Sequence, residues 1–160
     1  MPTESELRLH RACFTGHRPH KLHQPESVVI AALEAKIREA IDDGFVTFIS
    51  GMAWGVDIWA AEIVLRLKAE GHPLHLIAAV PYEGFERGWD EDWKRRYHDA
   101  LSKADLVKYV CDHYHRGCFQ VRNDDPALCA GLRCINVHIE VTNTGLGFIN
   151  RYLQSNSIRQ

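Results

Sequence analysis

No stretch of this 160-residue chain is apolar for long enough to cross a bilayer, since a spanning helix needs about 20 consecutive apolar residues. The opening residues, Met1-Pro-Thr-Glu-Ser-Glu-Leu-Arg8, lack the basic-then-apolar pattern of an export leader, so the expected location is the cytoplasm, with no membrane partner. A strong excess of one charge is also missing. The formal net charge of −2 gives no general attraction for nucleic acid, and binding of that kind would need a local basic patch. Five cysteines are an odd number without an export signal, which favours free thiols over a disulfide framework. There is no internal repeat, low-complexity tract or linker. With 46% hydrophobic residues the chain can bury one core, and residues 1–160 read as a single domain.

What is present is an alternation of short apolar runs with helical periods, centred on Thr47 to Glu62. Val46, Phe48 and Ile49 suit a buried strand, Gly51 and Gly55 break it, and Val56, Trp59, Ala60, Ile63, Val64 and Leu67 carry a helical period. Glycines there let the backbone turn sharply and approach a ligand, while the first helical turn offers N–H groups to an anion. Asp57 stands in that turn, suited to capping the helix or to holding a ribose hydroxyl. The Gly-Lys-Ser/Thr ending of a nucleotide-triphosphatase loop is absent, and a tight strand-to-helix connection explains the glycines equally well.

The same pattern extends both ways. Arg11 to Thr15 reads as a first strand, closed by Gly16-His17-Arg18-Pro19, and a helix is expected from Ser27 to Asp43. Leu74 to Val80 reads as a third strand ending at Pro81-Tyr82-Glu83-Gly84. Asp90 to Lys103 reads as a helix with Trp89, Trp93, Tyr97 and Leu101 as a core stripe, and Leu106 to Val110 as a fourth strand. Strands alternating with helices predict a Rossmann-like, doubly wound α/β fold, with a mainly parallel sheet and helices on both faces. In such sheets ligands sit beyond the carboxyl ends of the strands, where the loops at Gly16, Gly51, Pro81 and Cys111 should gather.

Several of these motifs together resemble a known family. Phe48-Ile-Ser-Gly-Met-Ala-Trp-Gly-Val-Asp57 is similar to the Ser-Gly-x-Ala-x-Gly-Ile-Asp motif of the DNA-processing protein A (Smf) family. Cys13-Phe-Thr-Gly-His-Arg-Pro19, Pro81 with Trp89, Ala104-Asp105, and Tyr114-x-x-Gly117 through Arg122-Asn123 resemble the YpsA-like branch of the same SLOG superfamily. The resemblance implies a Rossmann-like module that binds a nucleotide or nucleotide-derived ligand. Carried over by position, Gly16, His17 and Arg18 form one ligand loop, Ser50, Gly51, Gly55 and Asp57 a second, and Glu83 with Arg122-Asn123 the rim. The correspondence is expected to end at Asn123. Beyond it, residues 124–160 read as an atypical segment without the branch's Gly-Gly-Thr turn, with Arg133 to Thr142 as one strand and Gly145-x-Gly147 as a degenerate turn.

The chemistry of single residues divides the functional readings. Arg18 suits a bidentate phosphate contact and His17 a titratable neighbour. Glu83 is a weak candidate for a general base, and no partner acid is evident, because Glu86, Asp90, Glu91 and Asp92 read as a solvated helix start. Cys111-x-His113-x-His115-x-x-Cys118 offers zinc's ligand types, but it fits no standard finger and no metal is assigned. The leading expectation is a sensing or regulatory module for a nucleotide-like small molecule, with occupancy passed to a protein partner or a second copy of the chain. A second is hydrolysis of an N-glycosidic bond in a nucleoside monophosphate, as in the related lysine-decarboxylase-like LOG proteins, although their Pro-Gly-Gly-x-Gly-Thr-x-x-Glu motif has no counterpart. A third is single-stranded DNA binding, disfavoured because Arg11, Arg18 and Lys21 form only a modest cluster and the acidic Glu83 to Asp92 region would oppose it.

Overall fold

The computed structural model describes residues 11–16, 19–21, 24–118, 133–137, 139–142 and 145–148. Strand β1 (Arg11–Gly16) leads through a short 3-10 turn (Pro19–Lys21) to α1 (Glu26–Asp42), then β2 (Thr47–Ser50), α2 (Val56–Ala69), β3 (His75–Val80), α3 (Glu91–Lys103) and β4 (Leu106–Tyr109). Three further strands follow, β5 (Arg133–Val137), β6 (Ile139–Thr142) and β7 (Gly145–Phe148). The main sheet has the order β4-β3-β2-β1-β5 and every pairing in it is parallel, which makes the fold Rossmann-like α/β. Successive strands from β1 to β4 step outward on one side, and β5 then pairs with the free side of β1. The order therefore reverses at β1, and the crevice at its carboxyl end is where such sheets take ligands.

Period-2 alternation along the strands divides the buried residues between two faces. Ala12, Phe14, Phe48, Leu76, Ala78 and Val80 join one core cluster with Val29, Leu33, Ile37 and Ala40 of α1, Trp59, Ile63 and Leu67 of α2, and Tyr97 and Ala100 of α3. The spacing of those four α1 residues is the apolar stripe of an amphipathic helix. α2 packs between α1 and α3 and over β1, β2 and β3. This explains why α2 is buried on nearly every side, whereas α3 buries only Tyr97 and Ala100 fully. The three described helices thus form one layer. The opposite face of the sheet carries Ile49 and Ala79 with Cys13, Ile77 and Val110 against them, and among the described residues no helix covers it.

Local chemistry fixes the element ends. Asp90 caps α3 by accepting from Trp93 N at 2.9 Å, a bond that contributes about 1 kcal/mol in typical helices. Asp105 ties β4 to β3. Its backbone N–H donates to Leu76 O at 2.9 Å, its carboxylate accepts from Leu76 N at 2.8 Å, and Lys68 Nζ donates to the same carboxylate at 2.5 Å. Burial alone would raise the Asp105 pKa, but the hydrogen bonds from Lys68 and Leu76 outweigh it and hold the group below its ordinary value.

Two expectations for the later chain are corrected. Arg133 to Thr142 is two strands rather than one: β5 joins the parallel sheet, while β6 pairs antiparallel with β7 in a separate hairpin. Gly145 and Gly147 are not a turn, since both lie within β7, opposite Thr142 and Glu140.

Candidate functional site

The loop after β2 is held by its own side chains. Ser50 is fully buried, and its hydroxyl donates to Asp57 O at 2.8 Å and accepts from Met52 N at 3.2 Å. Asp57, 9% exposed, accepts from Ala53 N at 3.3 Å through Oδ2. Met52 between them is fully buried with φ 59°, a left-handed conformation that a side chain adopts only when its surroundings enforce it, at a cost of about 1–3 kcal/mol. Ser50 and Asp57 therefore shape the turn from within. Asp57 also brings a negative charge into the first turn of α2, where it complements the helix dipole.

Gly55 occupies the N-cap of α2 with φ 105°, and a Cβ placed on it would lie 2.6 Å from Pro19 Cδ. Only glycine allows the turn after β1 to close against the turn after β2 there. Beside this contact the rings of His20 and Trp54 lie 5.7 Å apart, and Trp54 continues to Trp93 of α3 at 6.1 Å. The two turns thus meet at the carboxyl end of the sheet, next to the strand where the order reverses. Gly16 ends β1 there, paired with Val137 of β5.

The remaining carboxyl-end loops form a second pair. Cys111 N donates to Pro81 O at 2.9 Å, and the rings of Tyr82 and Tyr114 lie 5.3 Å apart. Glu83 is exposed in the turn after β3. Gly16, Ser50, Gly51, Gly55, Asp57 and Glu83 consequently share one end of the molecule, while His17, Arg18, Arg122 and Asn123 lie outside the described residues.

Glu86 corrects the sequence reading. The solvated helix start begins at Asp90, whereas Glu86 sits in the preceding turn with its side chain 14% exposed. Its Oε1 is 3.4 Å from His98 Nε2, and Oε2 is buried with no hydrogen-bond partner among the described residues. Burial, and after it the Glu86 charge, pushes the Tyr97 hydroxyl well above its ordinary pKa. The flanking Phe85 and Trp89, which pack edge-on at 4.9 Å, were the available signal that an acid here would be enclosed.

Residues 12–138 match the model of the YspA SLOG family. The chain belongs to that family. The SLOG match runs past Asn123 to residue 138, so the expected end of the correspondence is corrected, and it takes in β5 in its place beside β1. Among curated proteins the chain is similar to UPF0398 protein BH1768 of Halalkalibacterium halodurans, 31% identical over 115 residues, covering 68% of this chain and 61% of that one. It is also similar to a UPF0398 protein of Macrococcus caseolyticus, 33% identical over 118 residues, covering 70% and 64%. The chain therefore spans between 61% and 64% of the length of these relatives. Among the described residues of this SLOG family member, no helix is long and apolar enough to cross a membrane.

Proposed function

We propose that the paired turns after β1 and β2 bind a nucleotide or nucleotide-derived ligand, and that the protein acts as a sensing or regulatory module. The observation that carries this reading is the contact of Gly55 with Pro19, which brings the two turns together at the reversal of strand order. A turn already fixed by Ser50, Met52 and Asp57 need not be ordered on binding, and preorganisation of that kind favours affinity. The buried Asp57 carboxylate disfavours a phosphate directly against it, so hydroxyl or amine groups of the ligand belong beside Asp57 and its phosphate nearer the β1 turn. Occupancy would pass to a protein partner or a second copy through the exposed rims of these loops.

The test is thermal unfolding against nucleoside mono-, di- and triphosphates, dinucleotides and ADP-ribose. A ligand at a hundred times its Kd adds about 2.7 kcal/mol to stability, which a melting curve resolves readily. A rise in Tm for a phosphate-bearing nucleotide, absent for its free base, is the expected result. No rise for any of these compounds at millimolar concentration overturns the reading.

A further inference from the structure

Past the end of β4 the chain doubles back, and Cys111, His115 and Cys118 come together with one ligand atom of each within 4.8 Å of the others. In a tetrahedral site with bonds of about 2.0–2.3 Å, ligand atoms stand roughly 3.3–3.8 Å apart, so closure around an ion requires only a small contraction. His113, which alternates with His115 in the sequence, is not in the group. Its backbone carbonyl accepts from Cys118 Sγ at 3.3 Å, a thiol bond that ends when the sulfur gives up its proton to bind the ion. We propose that Cys111, His115 and Cys118 form a binding site for a zinc ion, with water in the fourth position.

The surrounding backbone suits the role. His115 N donates to Cys118 Sγ at 3.0 Å, which holds the sulfur beside the His115 backbone. Cys111 is tied to the end of β3 by its bond to Pro81 O, and Cys118 N closes a turn onto His115 O at 3.1 Å. The ligands at both ends of the loop are therefore placed by main-chain bonds. Two thiolates and an imidazole select zinc over magnesium or calcium, which take oxygen ligands. Cys118 is buried and His115 is exposed, so the outer side of the cluster faces solvent, where a water ligand fits. On binding, each thiol releases a proton to solvent and the two sulfurs form bonds to the ion, with no change of oxidation state. His115 has a smaller share. Gly117 N donates to its Nδ1 at 3.1 Å, and coordination through either ring nitrogen displaces that bond, directly at Nδ1 or, for Nε2, by moving the ring proton to Nδ1.

The experiment uses the full chain without a histidine tag, purified under reducing conditions and dialysed against zinc or cobalt(II) alone. The expected result is one zinc per chain by elemental analysis and a thiolate-to-cobalt charge-transfer band in the near ultraviolet. Cys111→Ser and Cys118→Ser should each lose stoichiometric loading and the band, His115→Ala should weaken both, and His113→Ala should leave both unchanged. Cys118→Ala, checked for folding by circular dichroism, guards against loss through misfolding. Absence of zinc and of the band in the reduced wild-type protein overturns the site, as does unchanged loading in a folded Cys118→Ala. Isolation of the reduced-handled chain with Cys111 and Cys118 joined as a disulfide overturns it equally.

Discussion

Replacing Gly55 by alanine would set a methyl group 2.6 Å from Pro19 Cδ while forcing φ 105° on a residue with a side chain. Gly55→Ala is expected to lower stability by about 1–3 kcal/mol and to abolish any nucleotide-induced rise in Tm, both readable in urea and thermal titrations. Ser50→Ala removes one side of two buried hydrogen bonds and leaves Met52 N and Asp57 O without that partner. Its expected cost is about 1–3 kcal/mol, measured as a lower urea midpoint at constant slope. The glycines and Asp57 were legible in the sequence because a strand, a break and a helical period stand in register there. The inward direction of the Ser50 hydroxyl was not, since it depends on the left-handed Met52 that precedes the helix. At Cys111 to Cys118 the ligand types were legible but the grouping was not. The four residues fit no standard finger spacing, and only the turn at Arg116 and Gly117 brings Cys118 back to His115 and Cys111.

At the scale of elements, the helices and first four strands follow the apolar periods closely: Ser27 to Asp43 was expected where Glu26–Asp42 is found. Beyond β4 the reading weakened, because no period separates β5 from β6 and because Gly145 and Gly147 resemble turn residues although they sit within a hairpin strand. The joint between β3 and β4 gives a prediction with a definite sign. Asp105 has a folded pKa below its ordinary value, so its contribution to stability is complete above the unfolded value of about 3.9 and is lost as pH falls through the folded value. Asp105→Asn should therefore be less stable than the wild type near neutrality and show a shallower loss of stability below about pH 4, measured by urea titration at several pH values. Between α2 and α3, Arg96 donates to both Glu62 oxygens at 2.7 Å and lies 4.5 Å over the Trp93 ring. Lysine offers neither the paired donors nor the flat stacking surface. Arg96→Lys is expected to lower the urea midpoint by the equivalent of about 1 kcal/mol, with little recovery in high salt.

For the whole molecule, the strand order separates the carboxyl-end loops into two pairs, each joined by its own contacts. The β1 and β2 turns meet through Pro19 and Gly55, and the β3 and β4 loops through Pro81 and Cys111. A nucleotide held by the first pair and a zinc ion held by the second share no ligand residue. Their effects on stability should then add to within about 0.5 kcal/mol, as they do for sites without common partners. The measurement is a cycle of four Tm values: the free protein, the protein with zinc, with the nucleotide that raises Tm most, and with both. Gly55→Ala should remove the nucleotide increment and leave the zinc increment, and Cys118→Ser should do the reverse. A coupling beyond that range, or the loss of both increments in either variant, would mean that the four loops close around one composite site. The metal would then be part of the nucleotide pocket rather than a clamp on its far side.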